Sequence, residues 1–266
     1  MKYFVSLLAV ILAVNTFAED AGDTKEERAI SAEAELGMII TSGNTESSAT
    51  NAKLDVKQDF TKWKNNYVLE AFYKDDELTI DDGAGDVTRI TQTTADKIFA
   101  SFQSDYKLGS KHQGIFGYAS YENDKFSGFD YQSTIAVGYS DRLYENAKSW
   151  LDYSVGPGMA IARTEETVDD EGIVTPSEKT ETFAVRLSGA FQYKISSHAK
   201  FIQKLSSDLA TESDKNTRVK SETSLTATIN GSMALKLSYL INHNTQPPSE
   251  KEKTDTTTAV TLVFTY

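Results

Sequence analysis

The segment "TFAVRLSGAFQYK" (Thr182–Lys194) changes character at every residue. On an extended strand Phe183, Val185, Leu187, Gly189, Phe191 and Tyr193 share one side, while Thr182, Ala184, Arg186, Ser188, Ala190 and Gln192 share the other. "MALKLSYLIN" repeats the pattern, with Met233, Leu235, Leu237, Tyr239 and Ile241 against Ala234, Lys236, Ser238, Leu240 and Asn242. "NAKLDVKQDF" opposes Ala52, Leu54, Val56 and Phe60 to Lys53, Asp55, Lys57 and Asp59. A helix would bring its apolar residues round every 3.6 positions, so this text folds as strands with one apolar and one small or polar face.

Beyond Arg28 the alternation recurs in twelve stretches separated by polar turns. The first six are Ile30–Ile40, Ser48–Phe60, Asn66–Asp76, Thr91–Tyr106, Gln113–Tyr121 and Tyr131–Leu143. The others are Trp150–Thr164, Thr180–Lys194, Lys200–Ala210, Thr217–Ile229, Met233–Asn244 and Thr256–Tyr266. A two-sheet sandwich would produce the same alternation with the apolar face inside. Length favours the inverse arrangement, because soluble strands run to about five or six residues and a tilted membrane strand needs about nine to eleven. Connection lengths point the same way. If the termini are periplasmic, the turns Thr61–Asn65, Lys107–His112, Tyr144–Ser149, Ile195–Ala199 and Asn230–Ser232 are periplasmic and short. Glu77–Ile90, Glu122–Asp130, Glu165–Lys179 and Thr245–Asp255 are then outer loops and long, with Thr41–Ser47 and Thr211–Asn216 as short exceptions.

Aromatic residues supply a further criterion. Phe60, Trp63, Tyr67, Tyr106, Tyr144, Trp150, Tyr193, Phe201 and Tyr266 cluster at the short-turn ends, and Tyr73, Tyr121, Phe126, Phe129 and Tyr131 at the long-loop ends. Two such girdles are expected where amphipathic rings meet two membrane interfaces. A hydrophobic content of only 39 %, with 13 Tyr and 13 Phe, suits a thin curved sheet better than a thick aliphatic core. The predicted fold is all-β: a closed, antiparallel, up-and-down transmembrane β-barrel of about 12 strands over residues 30–266. In "AVTLVFTY" the stripe Val260, Leu262, Phe264 and Tyr266 faces lipid. This aromatic strand matches the one through which the barrel-assembly machinery recognises outer-membrane barrels.

Ahead of the barrel, "MKYFVSLLAVILAVNTFA" carries one Lys, an apolar run from Tyr3 to Val14 and a small-residue end at Ala18. The run falls short of the ~20 residues of a membrane helix, and reads as a signal peptide over 1–18 of a Gram-negative exported protein. Residues 19–29 form a short acidic periplasmic segment. The chain has no Cys, which excludes thiol catalysis, a Cys-based zinc site, disulfides and a lipoprotein anchor. Net charge −12 and pI about 4.8 argue against nucleic acid as a partner.

Three segments, "AELGMIITSGNTESSATNAKL", "YENDKFSGFDYQSTIAVGYSDRLYEN" and "LDYSVGPGMAIAR", resemble the YdiY-like family of outer-membrane proteins, sometimes labelled salt-induced and catalogued as a domain of unknown function. The likeness rests on the turn Ser42-Gly43-Asn44-Thr45, the run Lys125 to Tyr131 and the triplet Gly156-Pro157-Gly158. It implies an outer-membrane barrel and supplies no biochemical activity. By their own chemistry, Ser42 to Thr45 form a tight turn, and Gly156 to Gly158 mark a bulge or kink in a strand.

Candidate chemistry is sparse. His112 and His198 fall in periplasmic turns. His243, at an outer strand end with Thr245 two positions on, has no carboxylate in its sequence neighbourhood that would orient it as a catalytic base. The outer loops carry Glu77, Asp81, Asp82, Asp86, Glu165, Glu166, Asp169, Asp170, Glu171 and Glu178. "TVDDEGIVTPSE" partly imitates a calcium loop, but Thr167 replaces the first Asp, Pro176 intrudes and flanking helices are absent, so a solvated charged loop is the expectation there, with weak divalent-cation binding beside lipopolysaccharide as the alternative. The predicted lumen holds Glu33, Glu35, Asp55, Asp59, Glu70, Asp105, Asp152, Asp208 and Glu222 beside Lys53, Lys57, Lys74, Arg186, Lys204, Lys220 and Lys236. Such a balanced lining fits a narrow passage or a salt-bridged closed interior, not a one-signed ion filter.

The sequence therefore predicts an outer-membrane barrel with no catalytic residues, no cofactor and no metal site. The expected role is a narrow pore or envelope component, and the family resemblance implies a link to salt or osmotic conditions. Two alternatives stay open: a lipid-modifying hydrolase acting through His243, and a soluble periplasmic or surface all-β binding protein.

Overall fold

The computed structural model describes residues 29–41, 47–81, 87–110, 112–168, 172–248 and 251–266. The signal peptide, nearly all of the acidic segment 19–29, the Ser42 to Thr45 turn and Asp82, Asp86, Asp169, Asp170 and Glu171 lie outside them.

Twelve strands form the barrel: β1 (Ala29–Thr41), β2 (Ser47–Asp59), β3 (Trp63–Asp81), β4 (Val87–Lys107), β5 (Gly114–Asp124), β6 (Phe129–Glu145), β7 (Ser149–Thr164), β8 (Lys179–Lys194), β9 (Ala199–Ala210), β10 (Arg218–Thr228), β11 (Met233–Asn244) and β12 (Thr254–Thr265). Each pairs antiparallel with its sequence neighbours, and β1 pairs with β12 to close the cylinder. The predicted class is borne out, strand for strand.

The faces are inverted relative to a soluble protein. Leu36, Phe102, Ile135, Leu187, Leu205, Leu225, Leu237 and Val260 are exposed on the outside, whereas Glu35, Asp55, Glu122, Arg186, Asp208 and Lys236 are buried within. Only a surrounding hydrocarbon phase makes that distribution favourable, and closure leaves the sheet without the open edges lipid would penalise. The barrel is therefore of the outer-membrane kind. Outer-membrane barrels keep their short turns on the periplasmic side; Trp63, Tyr67, Tyr106, Tyr144 and Tyr193 are exposed toward that short-turn end, and Tyr73, Tyr121 and Phe126 toward the other. Trp63 and Tyr106 meet edge-on at 5.1 Å.

Three expectations are corrected. Trp150 and Phe129 do not join the girdles. Trp150 borders the lumen, with the Arg142 guanidinium 4.9 Å from its ring, and Phe129 is buried. The loop asymmetry is smaller than predicted, because Glu77–Ile90 is mostly strand. β3 and β4 continue past a β-bulge at Lys74/Asp75 and remain paired to Asp81↔Val87. The turn between β5 and β6 shrinks to residues 125–128, with Gly128 at φ 78°. Finally, Gly156-Pro157-Gly158 makes no bulge: β7 holds one register against β8 through the whole triplet, while against β6 the ladder lapses at Gly156 and Pro157 without a register shift. The glycines serve close approach instead. A Cβ on Gly156 would strike the Val137 carbonyl and Gly138 Cα, and one on Gly138 would lie 2.8 Å from Phe116 Cε1. Phe116 thus lies fully buried against bare backbone.

Candidate functional site

Among the described residues, the lumen is where functional groups converge. The two-residue side-chain period aims Lys53, Asp55, Glu70, Lys204, Glu222 and Lys236 inward from five different strands. There they form a continuous chain: Glu35 to Lys236 at 2.9 Å, Lys236 to Glu222 at 2.6 Å, Glu222 to Lys53 at 3.3 Å and Lys53 to Glu70 at 2.7 Å. The side chains linked in this chain are at most one-third exposed, whereas Lys204, which meets Asp55 at 3.7 Å, is more open. Ions taken out of water need such partners, since each loses its hydration.

Nearer the outer end a second network crosses from wall to wall. Asp208 on β9 takes Arg186 at 2.7 Å and Arg218 at 3.0 Å, and accepts a hydrogen bond from Thr134 Oγ1 at 2.8 Å. Arg218 on β10 reaches across to Gln132 at 3.1 Å and to Thr134 on β6. Beside it Lys220 crosses to Glu122 on β5, which also holds Lys97 at 3.2 Å. Arg186 lies over the Tyr118 ring at 3.5 Å and Lys220 over Phe99 at 4.1 Å. Above these bridges Pro248 and Lys251, from the β11–β12 connection, sit against Gly128 on the opposite rim.

Below the bridges the lumen opens into a cavity of about 590 Å³. It extends from Lys220 and Glu222 down to Lys107, His112 and Gln113 at the periplasmic rim.

Most lumen residues named from the sequence are brought together as expected. Glu33 meets Lys200 at 3.6 Å, Asp59 meets Lys107, and Asp152 meets Arg142 at 2.5 Å. Lys74 stands apart near the outer rim, with Asp76 at 2.7 Å. Lys97, Glu122, Arg142 and Arg218 belong to the lumen although the sequence reading did not place them there. The period that puts Lys220 and Asp152 inside also puts Arg218 and Trp150 inside. Glu122 was lost to an assumed loop.

His243 turns outward and exchanges a hydrogen bond of 2.8 Å with Thr254, while Thr245 Oγ1 accepts from the Thr217 N–H at 2.9 Å. His112 meets Glu145 at 3.2 Å and His198 meets Ser197 at 2.8 Å, both at the periplasmic end. Among the described residues no cluster of His, Asp and Glu is spaced to hold a metal ion.

The uncharacterised protein YdiY of Escherichia coli (strain K12) is 24% identical to this chain over 229 residues, 86% of this chain and 80% of that protein. Among solved structures, the translocator domain of autotransporter NalP from Neisseria meningitidis is similar at a TM-score of 0.46, with 11% identity covering 99% of this chain and 95% of that one. The NanC porin is similar at 0.48, with 12% identity covering 89% and 98%. Residues 34–266 match the family described as protein of unknown function, DUF481, and the chain belongs to that family.

Proposed function

We propose that this outer-membrane barrel is a closed, narrow-lumen envelope component that passes at most small ions and catalyses no reaction. One observation carries the reading: Lys220 and Arg218 on β10 reach Glu122 on β5 and Thr134 on β6, so side chains from facing walls bridge the lumen's outer half. A water-filled pore needs that section clear. The non-catalytic reading is supported at His243, whose recorded partner is a threonine rather than an orienting carboxylate.

The salt association implied by the family resemblance acquires a physical form here. The occluding contacts are ionic, and added salt weakens those that water reaches. Further parts of the proposal are export by the segment 1–18, contact of the acidic outer loops with lipopolysaccharide through divalent cations, and recognition of β12 by the barrel-assembly machinery.

Planar-bilayer recording tests the reading. The folded protein should be silent or give only small, brief steps, and simultaneous Arg218→Ala and Lys220→Ala substitution should produce larger ones. A large, steady conductance from the unmodified protein would overturn it.

A further inference from the structure

The outer ionic network is one negative charge short. Arg186 and Arg218 share Asp208, while Lys220 and Lys97 share Glu122. Asp124, 3.5 Å from Lys97, adds a further carboxylate. Four cations therefore have three carboxylates within salt-bridge distance among the described residues. A charge held away from bulk water without a counterion is costly.

A second, independent observation puts room beside these cations. A small cavity of about 40 Å³ is lined by Arg186, Arg218 and Lys220, with Asp208 as its one carboxylate. That exceeds the ~15 Å³ that one water requires. Donors at this cavity lack acceptors. Arg186 is only 8 % exposed, and its Nε–H is buried without a partner. Ser120 and Ser206 also line the cavity, and neither hydroxyl has a hydrogen-bond partner among the described residues. The Tyr118 and Phe99 rings, which complete the lining, hold Arg186 and Lys220 over their faces at 3.5 and 4.1 Å. Water would satisfy the free donors and leave the charge unmet, whereas an anion does both.

The cavity is also reachable. Arg186, Ser206 and Lys220 belong as well to the wall of the larger lumen cavity, which extends to the periplasmic rim. Seven Lys and two Arg line that cavity against four Asp and two Glu, although the whole chain carries a net charge of −12. A cleft lined by an excess of one sign concentrates ions of the other.

We propose that the small cavity binds one monovalent inorganic anion, chloride in ordinary media, which supplies the missing charge and locks the bridges across the lumen. The inference rests on the closed-barrel reading, because the bridging Arg218 and Lys220 form part of the cavity wall. It adds an ion-specific action of salt to general screening, with opposite sign: screening loosens the water-exposed pairs, and the bound halide tightens the buried ones.

The test follows thermal unfolding of the folded protein in detergent by tryptophan fluorescence, in sodium chloride, sodium bromide or sodium gluconate. One ionic strength is used throughout, so that screening is equal. Chloride and bromide should raise the midpoint saturably above its value in gluconate, which is too large for the cavity. Simultaneous Ser120→Ala and Ser206→Ala substitution removes two donors and no charge. It should raise the half-saturating halide concentration on the order of tenfold. Ser206→Asp supplies a fixed carboxylate instead, so its midpoint in gluconate should match the parent's in chloride and its halide response should vanish. Crystals grown in bromide should show an anomalous peak between Arg186 and Lys220. Equal midpoints of the unmodified protein in all three salts, a bromide-free cavity, or an undiminished halide response in both variants would overturn the proposal. None of these readouts passes current, so a conducting barrel with a halide-dependent midpoint would overturn the closed-barrel reading and leave the anion site standing.

Discussion

Glu35 on β1 and Lys236 on β11 meet inside the barrel at 2.9 and 3.1 Å, reaching past the intervening strand β12. Thr261 of β12 donates to the same carboxylate at 3.3 Å. The seam between β1 and β12 is thus clamped from within by three strands. Removing one partner strands a buried charge, which costs about 3 to 5 kcal/mol. Lys236→Ala should therefore lower the temperature at which the folded, fast-migrating gel species converts to the unfolded one. Glu35→Ala should cost less, because Lys236 keeps Glu222 at 2.6 Å. Equal losses from both substitutions would show that the seam is not the weak point.

Gly138 and Phe116 form a matched pair, with the ring packed over the backbone that the glycine leaves bare. Phe116→Ala should destabilise by about 3 to 5 kcal/mol, the range for truncating a buried aromatic residue. Gly138→Ala should destabilise too, because its Cβ meets the Val155 carbonyl and Gly156 Cα as well as the ring. Combining the two should not rescue stability, since the backbone obstruction remains. Denaturant titration of the folded barrel provides the comparison, and a double variant as stable as Phe116→Ala alone would count against this packing.

The barrel was legible because lipid and lumen impose opposite polarities on a strict two-residue period. The lengths and even number of the stretches followed from the membrane's thickness and from closure. What stayed illegible depended on register and on distant strands. Trp150 was assigned by its aromatic chemistry to a girdle, although alternation from Asp152 put it inside. No local signal told that Lys220 would find Glu122 across the lumen, 98 positions away in sequence.

Adjacent positions on one strand should respond oppositely to the same substitution. Leu187 is exposed on the lipid face of β8, and Ser188 borders the cavity. Leu187→Arg places a charge in hydrocarbon and should cost about 2 to 4 kcal/mol if it lies near the midplane. Ser188→Arg projects into a polar space beside Asp152 and should be nearly neutral. Refolding into vesicles with urea titration measures both, and a reversed order would mean the faces are assigned the wrong way round.

Lys220 and Glu122 should separate stability from occlusion. Glu122 is shared between Lys220 and Lys97, and Lys97 has a second partner in Asp124 at 3.5 Å. Lys220→Met removes the ammonium group that crosses the lumen while Glu122 keeps Lys97, so no carboxylate is left uncompensated. Its stability cost should be about 1 kcal/mol or less. Glu122→Gln leaves two ammonium groups around a neutral amide, and Lys220 then has no carboxylate within salt-bridge distance among the described residues. That variant should lose about 3 kcal/mol. In planar bilayers Lys220→Met should show larger and longer steps than the unmodified protein, because methionine no longer anchors to the facing wall. If Lys220→Met is as silent as the parent while Glu122→Gln is well folded and conducting, the block lies in the connection that carries Pro248 and Lys251, and the bridge is not what closes the barrel.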